Sequence, residues 1–187
     1  MSAVLAIIFA VIIVVADQIT KYLVVTNMAL GQQLPLIPGI IGLNRIEPNS
    51  GAAFGMFAGQ TWFLIAVTGI IMIICVCMLI KKVFDSNLMF WALCLVLSGG
   101  VGNMIDRIFR GGNVVDFLEF RFFDFPVFNV ADCAVCIGAG LIVIYFFIDF
   151  IKDAKNKNRM SKVAGDSKAL DAEAGPLPMN GSNENDE

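Results

Sequence analysis

Four apolar windows decide what this chain can become. Residues 3–16 carry no polar side chain, and residues 61–80 carry no charge, with Thr61 and Thr68 as the polar side chains. Two more windows, Leu88–Ile105 and Asn129–Ile151, are almost as apolar. A helix needs roughly 20 such residues to cross a bilayer. We therefore expect an all-α integral membrane protein of four transmembrane helices: Ala3–Thr26, Thr61–Ile80, Leu88–Ile105 and Asn129–Ile151. The 187 residues are 58% hydrophobic with 16% charged, too apolar for an ordinary soluble domain.

The connections are uneven. Residues 27–60 form the longest, and Pro35, Pro38, Gly39 and Gly42 exclude a continuous helix there. The Ile and Leu between them predict a small extended or β segment on the outer face, between helices one and two. Asn49, Gly51 and Gly55 allow tight turns, and Ala52, Ala53 and Phe54 are apolar enough for the membrane interface. Residues 109–126 read as a loop. A domain of residues 1–152 is expected, followed by a cytoplasmic tail, 153–187, with disorder expected from about residue 165, where Gly, Ser, Asn, Pro and acids take over. The first window is expected to stay in place: no Lys or Arg precedes it and no small-residue cleavage site closes it.

Basic residues set the orientation. Lys81, Lys82, Lys152, Lys155, Lys157, Arg159, Lys162 and Lys168 fall on one side. Lys21, Arg45, Arg107, Arg110 and Arg121 fall on the other. The positive-inside rule and an even helix count put both termini in the cytoplasm. The net charge of −3 argues against a nucleic-acid partner.

Polar residues beside lipid are costly and mark function by default, so the stretch Leu97–Asp132 draws most interest. Asp116 sits in Val114-Val-Asp-Phe-Leu118, where desolvation favours its acid form. Asn129-Val-Ala-Asp132 fits a helix start with a capping box. The same geometry also puts a carboxylate on the positive end of a helix dipole. Two carboxylates with opposed environments suit shared acid–base work, one holding a proton while the other accepts one. They are 16 residues apart, and spacing alone does not join them. Asn103 and Arg107 share a helix face at i, i+4, as do Asp106 and Arg110. Arg107 could snorkel to headgroups, bridge to Asp106 or Asp17, or anchor backbone carbonyls near the dyad. Asp17 and Lys21 are also i, i+4, as an internal ion pair or as walls of a polar cavity.

Other chemistries have little to work with. There is no His, so no Ser-His or Cys-His system exists. A Ser–Lys dyad would need Lys21 beside Ser50. The five cysteines, Cys75, Cys77, Cys94, Cys133 and Cys136, lie in apolar windows and read as small core or lipid-facing residues. No metal or cofactor is expected.

Five segments in order resemble the lipoprotein signal peptidases of bacteria (signal peptidase II): Asp17-Gln-Ile-Thr-Lys21, Asn49-Ser-Gly-Ala-Ala-Phe-Gly55, Gly99-Gly-Val-Gly-Asn103-Met-Ile-Asp106-Arg107, Val115-Asp116-Phe117 and Phe128-Asn-Val-Ala-Asp132. They cover most of residues 3–150. The resemblance implies an aspartic endopeptidase of the bacterial cytoplasmic membrane. It would cut prolipoproteins just before a cysteine that carries a diacylglyceryl group. It implies Asp116 and Asp132 as the catalytic pair, with the site at the outer face. Asp17, Lys21, Asn49, Gly51, Asn103, Arg107 and Asn129 become substrate-contact or supporting residues. The extended segment becomes a sheet that cradles substrate. Lipid-modified prolipoproteins and bilayer lipid are the expected partners, the cyclic peptide globomycin the expected inhibitor, and a monomer the expected state. From another class, a small transporter or channel subunit with an acidic gate would also place Asp and Arg inside the membrane, though no repeat supports it. A membrane scaffold would use the same polar residues only for packing.

Overall fold

A computed structural model of the chain describes residues 3–51, 56–57 and 59–173. The Ala52–Gly55 part of the second motif and the last stretch of the tail, 174–187, lie outside the described residues. The elements run α1 (Ala3–Asn27), β1 (Gln33–Ile37), β2 (Ile41–Asn44), α2 (Thr61–Ile80), α3 (Asn87–Phe109), β3 (Leu118–Phe120) and α4 (Val130–Glu173). Each of the four helices is long and apolar enough to cross a membrane. Large apolar side chains such as Ile7, Ile12, Ile70, Ile73 and Val143 point outward, as lipid-facing residues do.

The chain divides after Tyr145 into two compact units. In the first, α3 is the inner helix, packed against both α1 and α2. Its sequence explains this. Ser98, Gly99, Gly100 and Gly102 are all buried, so neighbours approach its backbone closely. A Cβ at Gly99 would collide with the carbonyl oxygen of Ala131 on α4, and one at Gly138 would lie 2.7 Å from the carbonyl oxygen of Ala92 on α3. The start of α4 is thus set by main-chain contact with α3. At the other end of α3, Ser86 is the N-cap, its hydroxyl accepting from the Met89 amide. Around it Cys75, Met89 and Leu93 form one buried cluster.

The helices differ from expectation at their ends. α3 continues to Phe109, four residues past Ile105, so Asp106 and Arg107 are helical. Gly111 (φ 63°) and Gly112 (φ 95°) then turn the chain in a region that favours glycine. α4 runs far past the expected end at Ile151, and the tail expected to lack order is helical as far as Glu173. Ala and Lys are frequent there, and their helix propensity sustains it.

The small sheet has order β1-β2-β3. β1 and β2 form the hairpin expected between helices one and two, with Leu34 opposite Leu43 and Gly39 (φ 74°) between the strands. β3 is a departure from expectation. It lies in the segment that reads as a loop, and pairs antiparallel with β2, Leu43 opposite Leu118 and Ile41 opposite Phe120. Beneath the sheet, Val24, Met28, Val115 and Phe117 form a second buried cluster. All five cysteines are free; Cys75 and Cys94 are buried and Cys77 is exposed.

Candidate active site

Asp116 stands in a segment whose backbone is pinned on both sides. The Asn49 and Val114 main chains exchange hydrogen bonds of 2.9 and 2.8 Å. The Val115 amide donates to Asp106 Oδ2 at 3.2 Å. The Phe117 amide donates to the Phe128 carbonyl at 2.9 Å, and its carbonyl accepts from the Asn44 amide at 2.8 Å. Side chains do the rest: Asn129 Nδ2 donates to Asp116 Oδ1 at 2.7 Å and Asn49 Nδ2 to Oδ2 at 3.1 Å.

Asp132 is fixed by the start of α4. The Asn129 amide donates to Asp132 Oδ2 at 3.1 Å, and the Asp132 amide donates to Asn129 Oδ1 at 2.9 Å. That reciprocal pair is a capping box. Its other oxygen, Oδ1, is left for the site and accepts from Asn103 Nδ2 at 2.7 Å. The capping box therefore takes one oxygen of Asp132 and leaves the other facing Asn103. Asn129 is the hinge of the arrangement, since it touches both aspartates and also donates to Asn103 Oδ1 at 3.1 Å.

The environment favours a shared proton. Burial pushes the Asp116 carboxyl up to about 6, and the nearby Asp132 charge adds to this; hydrogen bonds from Asn49 and Asn129 and the charge of Lys21 pull it back. One such group can hold a proton at a pH where the pair carries a single negative charge.

Asp17 and Lys21 lie beneath, each 0% exposed. Lys21 Nζ bridges Asp17 Oδ2 at 2.9 Å and Asp106 Oδ2 at 3.0 Å, and donates to Asn103 Oδ1 at 3.0 Å. Asp106 also accepts from Arg110 Nε at 3.1 Å and from Gln18 Nε2 at 3.2 Å. Asp17 Oδ1 accepts from the Ala131 amide at 2.9 Å. This cluster ties α1, α3, the Asp116 segment and the start of α4 into one polar core. With its amine bound to two carboxylates and an amide, Lys21 has no proton-accepting role to offer a serine, which removes the Ser–Lys reading.

A cavity of about 800 Å³ opens over the pair. Asn49, Gly51, Asn103, Arg107, Asp116 and Asp132 form its polar part, and Phe120, Phe125, Val127, Phe128 and Ile137 its apolar walls. Arg107 Nη2 donates to the Gly51 carbonyl at 3.2 Å, so of the readings open for it the backbone anchor is the one found. Arg110, not Arg107, pairs with Asp106. The buried Arg107 Nε has no partner among the described residues.

Of the nine residues singled out from sequence, six line the cavity and Asn129 lies directly behind both aspartates. Asp17 and Lys21 do not reach the cavity lining; they are one layer deeper. Asp106 and Gln18 belong to this group without having been singled out. Local spacing pairs Asp106 with Arg110 alone, and its bond to Lys21, 85 positions away, leaves no trace there.

Residues 9–148 match the family model described as signal peptidase (SPase) II. The lipoprotein signal peptidase of Halalkalibacterium halodurans is 42% identical over 153 residues, 81% of this chain and 97% of that protein. Those of Brevibacillus brevis and Bacillus subtilis are 44% and 39% identical, over 75% and 79% of this chain and 93% and 96% of their own lengths. A bacterial membrane enzyme solved by the in meso method at 2.3 Å resolution superposes with a TM-score of 0.75 at 37% identity, covering 79% of this chain and 90% of that one. With the family model spanning most of its length, this chain belongs to the signal peptidase II family.

Proposed function

We propose that this chain is an aspartic endopeptidase of the bacterial cytoplasmic membrane that removes signal peptides from diacylglyceryl-modified prolipoproteins, cutting before the lipidated cysteine. The observation that carries this reading is the joint hold of Asn129 on Asp116 and Asp132 at the polar part of an otherwise apolar cavity. Two carboxylates coupled in this way can activate water against a peptide carbonyl.

Asp132, held by the Asn129 main-chain amide and by Asn103, takes the proton of the attacking water. Asp116, the group pushed up to about 6, donates to the carbonyl oxygen; as the C–N bond breaks, Asp132 passes the water's proton to the leaving amine and Asp116 recovers its proton from the gem-diol hydroxyl. Asn49 Nδ2, with one N–H on Asp116, has a second to offer the substrate main chain, and Arg107 holds the Gly51 carbonyl beside it. The apolar walls receive the side chains before the cysteine, while the acyl chains remain in the bilayer. Each CH₂ kept from water contributes about 0.8 kcal/mol to positioning. Both termini are cytoplasmic and the dyad is at the outer face, as the basic residues argue. Globomycin, a cyclic peptide, blocks the reaction by filling the same cavity.

The test is cleavage of a diacylglyceryl prolipoprotein by purified wild type, Asp116→Asn and Asp132→Asn, each checked for folding. Cutting before the lipidated cysteine by wild type, with both amides folded and inactive, supports the assignment. An active amide variant removes that aspartate from the mechanism.

A further inference from the structure

The family match ends at residue 148, and relatives are matched over nearly all of their own lengths by about four-fifths of this chain. Residues beyond 148 lie outside the family model. This stretch is helical to Glu173 and begins with a concentrated run of base: Lys152, Lys155, Lys157 and Arg159, all exposed. Three of these, Lys152, Lys155 and Arg159, fall at i, i+3 and i+7 and so share one helix face. No carboxylate pairs with any of the three among the described residues. The acids nearby, Asp149 and Asp153, are four apart and fall to one side of that stripe.

The position of the stripe selects its partner. The fourth candidate span runs Val130–Lys157, 28 residues, or about 42 Å of helix against roughly 30 Å of hydrocarbon. Ile151 is the last of its apolar residues before the basic run, so the next turns lie in the headgroup layer. From Lys152 to Arg159 is about 10 Å along the axis, comparable to one Debye length at physiological salt. The whole stripe therefore feels the surface charge of the leaflet it leaves.

We propose that the Lys152–Lys155–Arg159 face is a binding surface for anionic phospholipid headgroups. It holds phosphodiester groups by charge-assisted hydrogen bonds from two ammonium groups and one guanidinium. Each basic residue near an anionic surface raises binding about fivefold. The inference needs α4 to span a membrane and is independent of the peptidase chemistry.

The test uses the full chain in nanodiscs of phosphatidylcholine alone, or of phosphatidylcholine with one-third phosphatidylglycerol. Amide hydrogen exchange is read over residues 150–162. The expected result is exchange at least tenfold slower in the anionic discs, restored by high salt. The triple variant Lys152→Gln/Lys155→Gln/Arg159→Gln, folded and active as a peptidase, loses that slowing. Equal exchange in the two discs overturns the proposal. So does slowing that survives in the triple variant, or protection that appears only on adding a soluble cell extract, which would put a protein there instead.

Discussion

Removing the charge of Lys21 should be among the most damaging single changes in this chain that does not touch the dyad. Lys21→Met nearly conserves volume. It leaves Asp17 and Asp106, both 0% exposed, without the cation that bridges them at 2.9 and 3.0 Å. Breaking a buried ion pair from one side costs about 3–5 kcal/mol, because the remaining charge stays desolvated. For a chain of this size that corresponds to a fall in Tm of roughly 10–15 °C. Thermal unfolding in detergent with a thiol-reactive dye reads it directly, since the buried Cys75 and Cys94 become reactive as the chain opens. The triple variant Asp17→Asn/Lys21→Met/Asp106→Asn should regain at least half of the loss. Its amide oxygens still accept the Ala131 and Val115 amides, and the one charge left without its partner, that of Arg110, is partly exposed to solvent. A Lys21→Met protein within about 1 kcal/mol of wild type, or a triple variant less stable than the single one, would refute the view that paired charge holds this core together.

Asn129→Ala removes donors to Asp116 and Asn103 and the cap of α4; losing the one bond to a charged group, at about 1.5–3 kcal/mol, lowers kcat/KM by roughly 10- to 100-fold. The same change takes away a hydrogen bond that favours ionised Asp116, so the Asp116 limb of the kcat/KM profile moves above pH 6. Because folding raises the Asp116 carboxyl from 3.8 to about 6, the folded state binds more protons than the unfolded one between those values. Wild type should then lose about 2 kcal/mol of stability as pH rises from 4 to 6, a loss that denaturation of Asp116→Asn no longer shows. Gly99→Ala drives a methyl into the Ala131 carbonyl and separates α3 from α4; we expect about 1–3 kcal/mol of destabilisation and reduced cleavage, measured on the same folded preparation.

The four spans are legible in the sequence because hydropathy is a local property and each window carries its own signal. The hairpin is legible as an extended segment for the same reason: Pro35, Pro38 and Gly39 exclude a helix there. β3 is not, since three residues between turns become a strand only when β2 supplies a partner. The dyad is half legible. Asp116 stands out as a carboxylate with no cap to make, and Asp132 is ambiguous until its two oxygens can be followed separately. Asp17 and Lys21 show their pairing in the i, i+4 spacing, but not their depth. That depends on Asp106 arriving from α3, and Arg110 alone accounts for Asp106 in local spacing. The polarity of the tail past Ile151 points to disorder, yet polarity is compatible with helix when Ala and Lys are frequent.

The bond from the Ala131 amide to Asp17 joins the first helix to the last across 114 positions. A chain made from its N-terminus places Asp17 and Lys21 in the bilayer early, and Asp106 joins them when the third helix is inserted. The seat for the Ala131 amide then stands empty until the final span is delivered. Asp132 follows by one residue, so with Asp116 and Asp132 as the proposed pair no product that ends before α4 carries a complete site. Delivery of the last span then turns activity on, and a ribosome stalled before α4 leaves an inert protein in the membrane rather than an unregulated protease.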